Sequence, residues 1–232
     1  MDEEKPILEL ESVGAASGAE HDQGLASLSL ALRRGERLLI LLDPFERPGL
    51  FGDLASGLVE PDAGRVVFDG HDWARLGPAR AAAARARIGR VYERPLWVSN
   101  LDVDENITLV QRHFTTRPEP EIDAEAVALA RSFGLEDLPR LRPARVPPRD
   151  LRVADWTRAF LGRRDLLILE RPLRDAPPDK AAGLVRAARA ASDRGAAVIW
   201  LQDAGDRNIV KEFEPARVFE WAGAQWAPVE RN

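Results

Sequence analysis

The residues best suited to chemistry fall in two short stretches, Leu42–Gly49 and Glu170–Arg171. The first reads LDPFERPG and joins an apolar run, Arg37–Leu42, to a segment of helical character, Leu50–Leu58. A loop between a strand and a helix can curl backbone N–H groups around a phosphate if glycines allow close approach and a cation balances the charge. Here Pro44 and Pro48 remove two donors, and Leu42, Phe45 and Arg47 put side chains where a phosphate tolerates none. Asp43 and Glu46 add negative charge. A like-charge contact at about 4 Å costs roughly 4 kcal/mol at an effective dielectric of about 20, more than Arg47 alone offsets. Pro48 suits the first turn of a helix, and a carboxylate near that end favours the helix dipole. The stretch therefore reads as a structural turn in which Asp43 or Glu46 fills the position an anion would take. The second stretch closes the apolar run Leu166–Leu169. Arg171 keeps its proton near neutral pH and cannot serve as a general base; an ion pair with a neighbouring carboxylate is expected.

Other chemistries are poorly supplied. There is no cysteine, and the three histidines (His21, His71, His113) show no ligand spacing, so neither a metal nor a disulfide framework is expected. The net charge is −5, and the basic residues are mixed with acidic ones, which gives no reason to expect nucleic acid. The first residues, MDEEKPILEL, carry no apolar targeting run, and Leu38–Leu42 and Leu166–Leu169 are far too short to span a bilayer. A cytoplasmic, soluble or peripheral protein is expected.

The elements that must hold these stretches are legible as periodicities. Ile7–Val13 and Leu25–Leu32 alternate as half-buried strands do. Arg37–Leu42 suits a buried parallel strand. Arg65–Phe68, ending at Asp69-Gly70, and Ile88–Tyr92 read as strands, and Pro78–Arg87 as a helix. From Asn100 to Leu161 the pattern is mainly helical, with helices over Asp123–Phe133 and Leu151–Leu161; the prolines of Arg142–Arg149 break any helix there. Leu166–Leu169 and Ala197–Leu201 are further strands, separated by a helix over Asp179–Asp193. Arg207–Phe213 reads as helix, and Val218–Trp221 with Gln225–Val229 as a closing hairpin. Alternating strands and helices argue for an α/β fold with a mostly parallel sheet.

Ordered landmarks run through nearly the whole chain: Gly35-Glu36, Gly57-Leu58, Pro61–Gly64, Gly89–Tyr92, Glu105-Asn106-Ile107, Arg158-Ala159, Leu166–Pro172 and Gln202-Asp203. In order and spacing they resemble the ATP-binding subunits (nucleotide-binding domains) of ABC transporters, and the middle segment looks like the ATPases of Mla-type phospholipid importers. The resemblance implies a P-loop NTPase-like ABC ATPase fold with a mostly parallel core sheet, an antiparallel β subdomain and an inserted helical subdomain. It implies one domain over residues 1–232, with the helical part at about 100–161.

The same resemblance marks what has been replaced. The family's GxxxxGK[ST] falls on Leu42–Gly49: its two glycines become Leu42 and Arg47, its lysine Pro48, its hydroxyl residue Gly49. The Walker B Asp-Glu-Pro becomes Glu170-Arg171-Pro172. The signature LSGGQ becomes Val146-Pro147-Pro148-Arg149-Asp150, read as a rigid Pro-Pro loop before a helix. The switch histidine becomes Gln202, the Q-loop glutamine Glu93, and the adenine-stacking aromatic falls near Ser17. No catalytic residue and no cofactor are expected. Family sites join one subunit's phosphate loop to the other's signature. This chain has lost both halves, so neither a homodimer nor a heterodimer with an intact partner would hold a complete site. What the resemblance leaves is a docking surface for an integral membrane permease, Glu93-Arg94-Pro95-Leu96-Trp97-Val98, with Leu96 and Trp97 as anchors. The expectation is a catalytically inactive subunit on the inner face of the cell membrane, structural or regulatory, serving lipid or solute transport. Two alternatives stay open: a residual nucleotide-binding ATPase subunit, with Arg47, Glu170 and Asp203 the first residues to test, and a freestanding soluble regulator.

Overall fold

A computed structural model describes residues 5–16, 24–43, 46–205, 208–222 and 225–229. Two sheets divide the strands. Strands β1 (Leu8–Ala15), β2 (Leu25–Leu32), β4 (Ala63–Phe68) and β5 (His71–Asp72) form an antiparallel sheet in the order β2-β1-β4-β5. Strands β3 (Arg37–Leu42), β6 (Ile88–Val91), β7 (Leu166–Glu170), β8 (Ala197–Asp203), β9 (Arg217–Ala222) and β10 (Gln225–Pro228) form the second, ordered β10-β9-β3-β8-β7-β6. Only the β9–β10 hairpin is antiparallel there; β9, β3, β8, β7 and β6 run parallel.

The parallel strands are apolar throughout because both faces are covered. Leu39, Leu41, Leu167, Leu169, Val198 and Trp200 pack on one face, and Leu38, Ile40, Leu42, Leu166, Ile168 and Ile199 on the other. The second face meets the antiparallel sheet and helix α1 (Gly49–Ala55), whose Phe51 and Leu54 are buried. The first meets helices α5 (Pro148–Phe160) and α6 (Ala181–Asp193). Helix α2 (Pro78–Arg85) precedes β6, α3 (Val103–Phe114) and α4 (Glu119–Ser132) precede α5, and a short α7 (Asn208–Phe213) follows β8.

Two helices start three or more residues earlier than the sequence reading, each with a proline in its first turn. Helix α4 begins at Glu119 rather than Asp123, and α5 at Pro148 rather than Leu151. Pro120 and Pro148 sit in first turns, where the missing N–H would have had no partner. The Pro-Pro segment is thus not wholly a loop: Pro147 caps α5 and Pro148 is its first residue. The Arg142–Arg149 stretch also holds a single turn of 3-10 helix, Pro143–Arg145.

Candidate functional site

The carboxyl ends of β3, β6, β7 and β8 lie side by side, and the residues there are Asp43, Glu93, Glu170-Arg171 and Asp203. In open parallel sheets this edge is where ligands bind. Here it is filled by the chain's own side chains. Arg171 is 1% exposed. Its Nε donates to Asp203 Oδ1 at 2.5 Å and its Nη1 to Glu93 Oε1 at 3.0 Å. The same guanidinium donates to the backbone carbonyls of Glu46, at 2.8 Å, and Asp43, at 3.2 Å. Arg174 adds a second cation against Glu93 and lies 3.7 Å from Asp203. The expected ion pair of Arg171 is present, with two carboxylates. The polarity of the loop is the larger finding: residues 43 and 46 offer carbonyl oxygens to a cation, whereas a phosphate would require N–H donors.

A second buried guanidinium sits one strand away. Arg90 lies mid-strand in β6, between Gly89 and Val91, and is 8% exposed. Its Nε donates to Glu170 Oε1 and its Nη1 to Asp53 Oδ1, both at 2.6 Å, while Nη2 reaches Gly49 O at 3.1 Å. Glu170 Oε2 accepts the Glu93 N–H at 3.2 Å. Burial alone would depress Arg90, but Glu170 and Asp53 outweigh it and hold the guanidinium above its ordinary pKa. Burial lifts the Glu170 carboxyl against the pull of Arg90. The carboxylate that could have held a cation therefore already has one. Gly52 makes room for it: a Cβ there would come within 2.6 Å of the guanidinium carbon of Arg90 and closer still to Glu170 Oε1.

The other sequence candidates are placed as follows. Of the two loop acids, Glu46 is buried and Asp43 exposed, and Arg47 is exposed. Leu42 ends β3 in the core. Gly49 opens α1 behind Pro48, which is its N-cap. Pro44, Phe45 and Ser17 lie outside the described residues. Gln202 is buried and its Oε1 accepts the Trp200 indole N–H at 3.3 Å. Val146 is buried, while Pro147, Pro148 and Arg149 are exposed and Asp150 is half-buried.

The 93–98 segment is pinned by α5. Arg152 donates to the carbonyls of Tyr92 and Glu93 at 2.8 and 2.6 Å. Arg158 reaches Leu96 O, pairs with the fully buried Asp155 at 2.5 Å, and lies 4.5 Å over the Trp97 ring. Burial raises the Asp155 carboxyl despite both arginines. Glu93, one of the four docking candidates, is committed inward to Arg171. Arg94 and Leu96 are exposed, and Trp97 is half-buried. A cavity of about 730 Å³ opens beside Pro95 and Trp97, walled by Pro147, Pro148 and Arg149. Sequence reasoning missed Arg90, Arg152 and Arg158 as organisers; a lone charge inside an apolar strand or helix face was the available signal, because a buried charge demands a partner.

No family model matches the chain. It is similar to curated ATP-binding proteins of bacterial transport systems. It is 27% identical over 182 residues to a phosphonates import ATP-binding protein of Alcaligenes faecalis, covering 71% of this chain and 62% of the relative. It is 30% identical over 151 residues to a second such protein from a Synechococcus strain, covering 61% and 56%. An intermembrane phospholipid transport system ATP-binding protein of Escherichia coli K12 is 24% identical over 119 residues, 51% of this chain and 44% of the relative. The chain thus spans less than two thirds of the length of these relatives. Among solved structures, an ATP-binding subunit of an ABC transporter superposes with a TM-score of 0.81 at 18% identity, over 96% of this chain and 90% of that one. A dimeric ATP-binding cassette in a post-hydrolysis state, bound to ADP and Pi, superposes with a TM-score of 0.83 at 14% identity, over 97% and 100%. The fold is that of an ABC ATP-binding cassette, α/β with a mostly parallel core sheet.

Proposed function

We propose that this chain, built on the ABC cassette fold, is a subunit that neither binds nor hydrolyses ATP at its loop. It acts instead as a structural or regulatory component docked on a membrane permease, at the inner face of the cell membrane, in lipid or solute transport. One observation carries this reading. The Arg171 guanidinium occupies the strand-end crevice and takes the carbonyls of Asp43 and Glu46 as ligands, so the loop is already closed on a cation of the chain's own. A triphosphate entering there would meet carbonyl oxygens and the carboxylates of Glu93 and Asp203. The likeness to ATP-binding proteins of phosphonate import and phospholipid transport supports the permease as partner. Among the described residues no helix is long and apolar enough to cross a membrane, so membrane attachment in this reading runs through the exposed Leu96 and Val98 and the half-buried Trp97.

The test is twofold. Phosphate release from Mg-ATP should stay at background, and the melting temperature should not move with Mg-ATP at about 5 mM. A ligand present at 100 times its Kd would stabilise by about 2.7 kcal/mol, so a missing shift is informative. Pull-down from solubilised membranes should recover an integral membrane partner, and a Trp97→Ala variant should recover less of it. The likeness to ATP-binding proteins of phosphonate import favours a second reading, a residual ATP-binding subunit. A saturable Mg-ATP shift abolished in Glu170→Gln or Asp203→Asn would establish it in place of the first.

A further inference from the structure

Away from the strand-end cluster, a cavity of about 640 Å³ opens between α4, the Gly162–Arg164 turn and the end of α6. That volume is typical of small-ligand sites. Three guanidinium groups line it: Arg163, Arg164 and Arg194. Arg164 is 9% exposed and, among the described residues, pairs with no carboxylate. Its Nε donates to Ala159 O at 3.0 Å, its Nη1 to Ala86 O at 2.6 Å and its Nη2 to Arg158 O at 3.2 Å. These carbonyls belong to the ends of α2 and α5, whose negative dipole ends partly balance the charge. Burial lowers its pKa to about 10, with Glu125 pulling the other way, so it stays cationic at neutral pH. Arg163 and Arg194 stand exposed at the rim, and their side chains make no hydrogen bond or ion pair among the described residues. The one carboxylate of the wall, Glu125, is spoken for: it pairs with Arg117 at 2.6 Å and accepts the Gly162 N–H at 3.2 Å. In a chain of net charge −5, this cavity is a local excess of positive charge beside the apolar side chains of Leu129 and Phe160.

We propose that this cavity binds a phosphate monoester carrying a short apolar substituent. Two unpaired guanidinium forks match a dianionic phosphate better than a single-charged carboxylate, in both charge and bidentate geometry. The apolar wall takes the substituent. The site shares no residue with the strand-end cluster, so its fate is independent of whether the loop binds ATP.

Titration calorimetry on the full chain tests it with hexyl phosphate, inorganic phosphate and hexanol. Hexyl phosphate should bind with a Kd below about 1 mM, inorganic phosphate roughly tenfold more weakly, and hexanol not measurably. An Arg163→Ala/Arg194→Ala double variant should lose about tenfold or more in affinity with an unchanged melting temperature, because both side chains are exposed and unpaired. Absence of binding at about 5 mM hexyl phosphate overturns the site, as does equal binding by the double variant. Equal affinity for inorganic and hexyl phosphate overturns the apolar subsite.

Discussion

Arg171 has a φ of 40°, a left-handed conformation that a long side chain adopts at a cost of about 1–3 kcal/mol. The surrounding bonds must outweigh that cost, and they do so only as a set: two carbonyls, two carboxylates and the Arg171 N–H on Leu201 O at 2.8 Å. Replacing Arg171 by methionine leaves those acceptors without a donor and should cost about 3–5 kcal/mol, the usual result of removing one member of a buried ionic cluster; urea unfolding measures it. Arg171→Glu should be at least as damaging and should not restore ATP turnover. Gly52 gives a test with an unusual sign. Glycine to alanine inside a helix normally gains about 1 kcal/mol. Here the added methyl would strike the Arg90–Glu170 pair, so Gly52→Ala should lose about 1–3 kcal/mol, as overpacking does. A melting temperature at or above the parent's would mean that this ion pair is not held as described.

At the scale of elements, a hydrophobic period is a local property and a charge's partner is not. Leu25–Leu32 and Arg37–Leu42 were legible to the residue because alternation or unbroken apolarity marks them. The starts of α4 and α5 were not, since a proline breaks a helix interior and yet suits a first turn. Arg171 could be expected to find a carboxylate, but Glu93 lies 78 residues away, and nothing local in sequence says which acid it meets. The same long-range pairing joins the Asp69 turn to the core. Arg34 and Arg87 each bridge Asp69 and Asp165. Burial would raise Asp69, but Arg87 and Arg34 outweigh it and hold the carboxyl below its ordinary value. A depressed folded-state pKa contributes stability that is present above the unfolded value and lost as pH falls through the folded one. Asn tolerates the positive φ of 49° at this position, so Asp69→Asn isolates the charge. It should cost about 1 kcal/mol or less at neutral pH, given the partial exposure, and the two proteins should converge on acidification below the ordinary carboxylate pKa. A difference that persists unchanged into acid would assign the effect to the turn rather than to the charge.

At the scale of the molecule, the proposed function turns on two surfaces, the strand-end crevice and the start of α5, as the two halves of a nucleotide site shared between cassettes. The crevice is occupied by Arg171 and Arg90, which donate to acceptor groups of the loop, of helix α1 and of the neighbouring strand ends. The start of α5 is capped by Pro147 and opened by Pro148, residues that offer no backbone donor. Binding of ATP can shift an association equilibrium only by its differential affinity for the two states, and in the proposed function the chain offers neither half of a site and supplies none. Whatever self-association this protein shows should therefore be the same with and without Mg-ATP, and the same for the parent and for a Pro147→Ser variant. Sedimentation velocity across a concentration series reads this directly. A nucleotide-dependent rise in the dimer fraction would show that the crevice still opens to a triphosphate, and would return this chain to the ATP-driven members of its fold.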